Sequence, residues 1–515
     1  MSAGSLNAGR RTRELDELAG GERVDLAVIG GGVTGAGIAL DAAARGLSVV
    51  LIERRDLAFG TSRWSSKLVH GGLRYLAKGD VALAHESAVE RGILMTSTAP
   101  HLTRALPQIF PLYRNISRGQ QAFISAGLHA GDALRRAART PAWVLPRPRT
   151  IPAAEALALA PGLRRPELRG ALLSFDGTLI DDARLVVTLA RTAASFGARI
   201  LTRLAATAVH ADRVEVTDEL TGQRLEIAAG QVINATGVWA GELVPSVRLR
   251  PSRGSHLVLS AESTGLGESS VLVPVPGERN RFVFLLPQAD GRVYAGLTDE
   301  PTEGGIPDVP AAPKSDVDFL LEVTSTVLRR PLTEADVLGT FAGLRPLIEV
   351  PGNARSADLS RKHAVLTAGN GVITVVGGKL TTYRRMAADA VDAAVSAAGL
   401  RAGPSGTAAL PLLGATGRRR LATVEAPARL VAKYGTEAPR VAAIGELDPA
   451  LAEPLFPGSP ITAAEVVWAV RHEGALDVED VLHRRTRLGL VPADAAAAEP
   501  RVHDLVTRAL EGVTL

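Results

Sequence analysis

The sequence contains no cysteine. Disulfides, thiolate metal sites, iron–sulfur clusters, cysteinyl nucleophiles and a thioether link to a cofactor are therefore excluded. Lysine is nearly as scarce: of 58 basic residues only Lys67, Lys78, Lys314, Lys362, Lys379 and Lys433 are lysine, and the other 52 are arginine. A lysine at a given position is thus informative, whereas an arginine is a surface residue by default. An excess of one charge sign is also missing, since 54 acidic residues leave a formal net charge of +4, too little to indicate nucleic-acid binding. The uncharged stretches at 26–40 and 364–378 are Gly-rich and fall short of the roughly 18 to 20 apolar residues of a spanning helix. No apolar segment follows Arg10 and Arg11, so neither a secretory nor a twin-arginine signal is readable. The expectation is a cytoplasmic protein whose membrane contact is peripheral, with no metal site.

The chain has 515 residues, 46% hydrophobic and 22% charged, an ordinary globular composition. At roughly 150 residues per domain, about three domains are expected. Residues 24–29 (VDLAVI) and 48–52 form apolar runs flanking a helix-like segment at 38–45, a strand, helix, strand unit. Runs at 231–235 and 372–376 also stop at glycine turns, Thr236-Gly237 and Gly377-Gly378. Between these lie β-rich stretches at 257–259, 271–275, 281–286 and 292–296, spaced as in an antiparallel sheet. Residues 399–410 have linker composition, and amphipathic helices follow from Ala426.

Gly30, Gly32 and Gly35 satisfy G-x-G-x-x-G after a strand and at the start of a helix. There the first glycine permits the turn, the second lets backbone approach a pyrophosphate and the third allows close packing, while the helix start offers free N–H groups. Glu53, 18 residues past Gly35, is placed to take ribose hydroxyls. This fingerprint alone does not separate FAD from NAD. Residues 60–75 add four hydroxyls within six positions (Thr61, Ser62, Ser65, Ser66), together with Lys67, His70 and three glycines. Such a cluster suits a pyrophosphate or ribityl chain better than a simple helix cap. The third turn, Gly377-Gly378-Lys379-Leu380-Thr381, again opens a helix, whose dipole can stabilise negative charge on a reduced flavin ring. Three separated glycine turns favour FAD.

These residues resemble the aerobic, FAD-dependent glycerol-3-phosphate dehydrogenases, in the D-amino-acid-oxidase-like class of flavoproteins. The similarity runs from residue 24 to about 385 through VIGGGVTGAGIALDAAARGLSVVLIE (28–53), GTSRWSSKLVHGGLRYL (60–76), APHL (99–102), DDARL (181–185), VINATGVW (232–239), RGSHLVL (253–259), GLTD (296–299), FAGLRPL (341–347) and GGKLTTYR (377–384). The tail segment VEDVLHRRTRLGL (478–490) resembles the family's helical C-terminal region. Arg63-Trp64 departs from the smaller residues expected there, and the first 23 residues have no counterpart. The absence of cysteine argues against the anaerobic branch.

The resemblance implies an α/β protein. A discontinuous Rossmann-like FAD-binding domain (24–100, 171–245, 339–398) carries an inserted antiparallel β-rich substrate domain (101–170, 246–338). A helical C-terminal domain (411–515) and an N-terminal extension (1–23) complete it. It implies oxidation of sn-glycerol 3-phosphate to dihydroxyacetone phosphate by hydride transfer to non-covalent FAD. Electrons would go to membrane ubiquinone or menaquinone from a peripheral position on the cytoplasmic face, with a homodimer left open. Cofactor contacts are expected from Gly30, Gly32, Gly35, Glu53, Thr61, Ser62, Ser66, Gly237, Gly378, Leu380 and Thr381.

Alcohol oxidation needs a base for the hydroxyl proton and a fixed donor for the oxygen. His70 is the candidate base, an imidazole titrating ordinarily near 6.5, with Ser66 one helical turn before it as its orienting partner. A covalent flavin link through His70 is the competing use. Arg345, between Gly and Pro-flanked residues of GLRPL, is the candidate for the substrate oxygen. Arg74, Tyr75, His256, Thr298, Arg361 and Lys379 complete the expected substrate set, the cations converging on phosphate. A glycerol-3-phosphate oxidase using oxygen shares nearly every motif. A non-catalytic prenyl-binding escort protein of the same fold is disfavoured by the intact Gly35, Glu53 and Gly378.

Overall fold

The computed structural model describes residues 3–76, 79–278, 281–302, 304–349 and 362–512. The first apolar run forms the strand Val24–Ile29 inside an eight-stranded sheet. Arg224–Asn234 and Val49–Glu53 flank it in parallel, Ile373–Val376 and Arg199–Thr202 extend the sheet in parallel, and Ala364–Thr367 adds antiparallel at one edge. Successive side chains point to opposite faces. Leu26, Val28, Val49 and Leu51 join the core built with the helices Val33–Ala44, Asp182–Ser195 and Tyr383–Ala398. Ala27, Ile29, Val50 and Ile52 instead pack toward a meander of Leu204–Val209, Arg213–Asp218 and the start of Arg224–Asn234. Burial on both faces explains why these strands read as unbroken apolar runs.

The β-rich stretches join a second sheet of ten strands. It is mixed and not purely antiparallel: Thr103–Pro111 and Ser270–Pro274 run parallel, with Ser270 opposite Gln108. Two strands that the sequence division groups with the nucleotide-binding part pair here. Gly170–Leu179 lies on Thr103–Pro111, and Val337–Arg345 lies on Ser252–Ser260. One core of this sheet includes the helices Ala153–Leu159 and Lys314–Ser325. Another, formed by Trp64, Val258, Tyr294 and Phe341, receives Leu490 and Val491 from the C-terminal region.

That region is helical, with Ala428–Tyr434, Ala438–Leu447, Ala463–His472 and Pro492–Leu510 as its larger elements. Buried ion pairs dock it: Asp56 meets Arg484 at 2.6 Å and Arg485 at 2.9 Å, and Arg184 meets Glu473. The segment without a sequence counterpart has a structural role. Asn7 caps the helix Ala8–Ala19, Leu15 and Leu18 enter the core of the first sheet, and Ser5 Oγ lies 2.8 Å from His472 Nδ1. The N-terminus thus ties the first sheet to the C-terminal helices.

Candidate active site

The glycine turn after Val24–Ile29 leaves no room for side chains. Gly30 has φ 111°, and a Cβ there would sit 2.6 Å from the Ala235 carbonyl oxygen. A Cβ on Gly35 would overlap the carbonyl oxygen of Gly30. The helix Val33–Ala44 starts at Gly32 without a capping side chain of its own. Ser62 supplies one acceptor, taking the Val33 N–H at 2.9 Å. The Glu53 carboxylate accepts the N–H groups of Gly31 (2.6 Å) and Arg55 (2.7 Å). Burial raises its pKa, against the opposing pull of these two backbone donors. Gly237, at φ 62°, leaves open space where a Cβ would stand. Uncapped N–H groups, a carboxylate beside the turn and bare backbone fit a dinucleotide's pyrophosphate and ribose.

The other turns are held beside this one. The Thr61–Arg63 turn contacts the strand Val337–Arg345, where the Thr61 hydroxyl donates to the Leu344 carbonyl at 2.6 Å. The Gly237–Trp239 turn contacts Ile373–Val376. Gly377 and Gly378 have φ 75° and 72°, and the Leu380–Thr382 turn follows, with Thr381 buried and Leu380 packed on the main core. The short strand Leu68–Val69 contacts that turn and delivers the half-buried His70. After it, the Gly71 N–H donates to Asp176, which also pairs with Arg91 at 2.6 Å.

This strand corrects one expectation: residues 66–70 are not helical, so Ser66 does not sit a helical turn from His70. Its hydroxyl lies 2.8 Å from His256 Nε2 instead. His256 is buried and stacks on Phe341 at 4.5 Å. Burial, with Lys67 and Arg345 nearby, depresses it to about 3, so the ring is neutral at physiological pH and supplies no charge for phosphate. Thr298 is likewise turned inward, accepting the Ser255 N–H at 2.9 Å and donating to Asp316 at 3.1 Å. The backbone oxygen of Thr298 holds Arg345, whose guanidinium donates to it (3.1 Å), to Asp299 (3.1 Å) and to Ser252 Oγ (3.2 Å). The Arg345 side chain remains 19% exposed. Lys379 Nζ covers the Tyr75 ring at 3.7 Å and donates to Ser87 at 3.1 Å, bringing two expected substrate residues together. Arg361 lies outside the described residues, as does the side chain of Arg74.

Sequence reasoning missed the pair beneath this site. Lys67 is buried, 3.2 Å from Asp182 and over the Phe341 ring at 4.8 Å. Asp182 also accepts the Ser65 N–H and hydroxyl, at 2.9 and 2.7 Å. Burial lowers Lys67 to about 8 against the pull of Asp182. Burial also opposes the Asp182 charge, but Lys67, Arg487 and Ser65 outweigh it and leave the carboxyl at about 2. Arg487, from the C-terminal region, reaches Asp182 at 3.6 Å and donates to the Arg63 carbonyl. The scarcity of lysine singles out Lys67 in the sequence, but nothing there points to its partner Asp182, 115 positions away.

Residues 25–384 match the family described as FAD dependent oxidoreductase, and residues 405–511 match the C-terminal domain of alpha-glycerophosphate oxidase. Over 496 residues the chain is 54% identical to glycerol-3-phosphate dehydrogenase 1 of Mycobacterium tuberculosis, covering 95% of this chain and 96% of that protein. The mitochondrial glycerol-3-phosphate dehydrogenase of Macaca fascicularis is 34% identical, covering 97% of this chain and 72% of that protein. Among solved structures, glycerol-3-phosphate dehydrogenase of Bacillus halodurans, complexed with FAD, superimposes with a TM-score of 0.74 at 26% identity, covering 98% and 96% of the two chains. The geometry of the glycine turns and these likenesses agree on FAD as the cofactor, and the chain belongs to the family of FAD-dependent glycerol-3-phosphate dehydrogenases.

Proposed function

We propose that the protein oxidises sn-glycerol 3-phosphate to dihydroxyacetone phosphate and delivers the electrons to a membrane quinone. The observation that carries this reading is the meeting of three glycine turns with a held guanidinium, Arg345, and a lysine on an aromatic ring, Lys379 on Tyr75. FAD, when bound, supplies the acceptor for the hydride leaving C2 of the substrate. His70 takes the hydroxyl proton, from the end of a strand that rests on the Leu380–Thr382 turn. Arg345 steadies the substrate oxygen as it becomes a ketone, its fork held in place by Asp299, Ser252 and Thr298. Lys379 and Arg74 attract the phosphate, which carries close to two negative charges. The flavin is held without a covalent bond: the chain has no cysteine to form a thioether, and His70, the competing attachment point, serves as the base.

Among the described residues no helix is long and apolar enough to cross a membrane, so a lipid-dissolved acceptor is reached by docking on the bilayer surface. A second reading, oxygen as acceptor, is favoured by the oxidase description of the family matched at 405–511. Turnover with glycerol 3-phosphate separates the two. A quinone analogue under nitrogen should support faster turnover than air-saturated buffer without it. Peroxide formed at an equal or higher rate in air would replace the quinone reading with the oxidase one.

A further inference from the structure

The helix Arg118–Ala137 has two apolar sides, and among the described residues only one is packed against the fold. Ile124 and Leu128 pack on Phe110, Leu112, Ile116 and Leu172, and Leu134 packs on Tyr75 and Leu83. On the other side Ala122, Phe123, Ala126, Ala130 and Ala133 are exposed. Phe123 is 63% exposed, and Trp143, six residues past the helix, is 72% exposed. No Asp, Glu, Lys or Arg occurs between Gly119 and Gly131. A solvated helix face ordinarily carries charge there.

The sequence that carries this helix is charged mainly with one sign. Residues 104–154 hold eight arginines and one acid, Asp132, in a chain whose whole net charge is +4. That acid is buried and paired with Arg135 at 2.7 Å and Arg136 at 3.4 Å. Arg114, Arg118, Arg136, Arg139 and Arg147 are exposed. The segment is therefore a strongly basic patch, and the rest of the chain is net acidic. An apolar helix face with exposed aromatics and flanking arginines matches an anionic bilayer: Phe and Trp enter the interface and arginines meet lipid phosphates.

We propose that the outer face of Arg118–Ala137, with Trp143 and the surrounding arginines, is the surface by which this protein docks on an anionic lipid bilayer. The proposal rests on the quinone reading and names its docking face. Docking there sets the bilayer close to the site, because Leu134 packs on Tyr75, the ring that Lys379 covers. A lipid-dissolved acceptor would approach from this side.

The test uses the FAD-loaded full chain and phosphatidylcholine vesicles with or without phosphatidylglycerol. Binding is read by co-sedimentation at low and high salt, and by tryptophan emission, since Trp143 is the exposed one of four tryptophans. Glycerol 3-phosphate-dependent reduction of a water-soluble dye is measured in parallel. The parent protein should bind anionic vesicles, shift its emission to the blue and release in high salt. Phe123→Ser combined with Trp143→Ser should weaken partitioning by about tenfold or more, as expected for withdrawing two apolar anchors, with dye reduction unchanged. Arg118→Gln combined with Arg139→Gln and Arg147→Gln should remove the preference for phosphatidylglycerol. Leu447→Ser, at another exposed apolar side chain, should change nothing.

Equal vesicle binding by the parent and the aromatic variant overturns the assigned face. Equal binding to neutral and anionic vesicles overturns the role of the arginines. If the aromatic variant alters only self-association in sedimentation, the face is an interface between copies and the proposal falls. Vesicle binding without any dye reduction supports the docking face while refuting the dehydrogenase reading. Dye reduction without vesicle binding by the parent refutes the docking face alone.

Discussion

Asp182→Asn tests the electrostatics beneath the site. The substitution keeps the shape of the side chain and leaves an amide oxygen for Ser65, but it removes the carboxylate 3.2 Å from the buried Lys67 ammonium. Replacing charge-assisted bonds from Ser65 by neutral ones costs on the order of 1 to 2 kcal/mol at any pH. The lysine adds a pH-dependent part. Lys67 titrates at about 8 in the folded protein, below the ordinary 10.5, so the unfolded chain binds more protons between those values. Stability from this group therefore rises with pH through that window, and its penalty is fully present below about 8. Without Asp182 the folded-state value drops further, and the extra penalty grows as pH falls below 8. It is capped, because the unpaired lysine can give up its proton: the cap is about 1.4 kcal/mol at pH 7 and about 2.7 kcal/mol at pH 6. Thermal unfolding of the FAD-loaded parent and variant from pH 6 to 9 reads this out, at about 2 to 4 °C per kcal/mol for a cooperative unit near 200 residues. The gap between them should be largest at pH 6 and shrink by several degrees toward pH 9. A gap that is constant, or that widens with pH, would refute the assignment of Lys67 as the charged partner of Asp182.

Gly35→Ala should yield protein that folds but retains less than about a tenth of the parent's flavin, because the new methyl group overlaps the Gly30 carbonyl and must open the turn; the ratio of flavin to protein absorbance checks it. Asp56→Asn removes the buried carboxylate that faces both Arg484 and Arg485 and should cost about 3 to 5 kcal/mol. Limited proteolysis should then release the C-terminal helices before the first sheet is cut. Arg345→Lys should lower kcat at conserved charge, since a point ammonium cannot hold Asp299, Ser252 and the Thr298 carbonyl while also meeting the substrate oxygen. Steady-state kinetics with glycerol 3-phosphate give the split between kcat and KM.

What was legible in the sequence is what local chemistry dictates. Gly30 and Gly35 are required by contacts within a few residues of chain and by one strand end, so spacing alone reveals them. The central strands read as apolar runs because both faces are covered. Partnerships between distant segments were not legible. Ser66 and His256 are 190 positions apart, and only the pairing of Val337–Arg345 with Ser252–Ser260 puts Phe341 under the histidine ring. The i, i+4 spacing of Ser66 and His70 predicts a helical turn, but Leu68 and Val69 pair with Thr178 and Gly177, and tertiary pairing decides a segment too short to have a period. The docking of Arg484 and Arg485 on Asp56 was hidden by arginine's abundance. In a chain with 52 arginines no single one stands out until its buried partner is known.

The most direct measurement is the visible spectrum of the purified, FAD-loaded protein mixed anaerobically with glycerol 3-phosphate, followed by addition of a quinone analogue or of oxygen. Glycerol 3-phosphate should bleach the flavin absorbance within the time of a single turnover, glycerol should not, and the quinone should restore the colour faster than oxygen. A flavin that stays oxidised in saturating glycerol 3-phosphate would contradict the account at its centre.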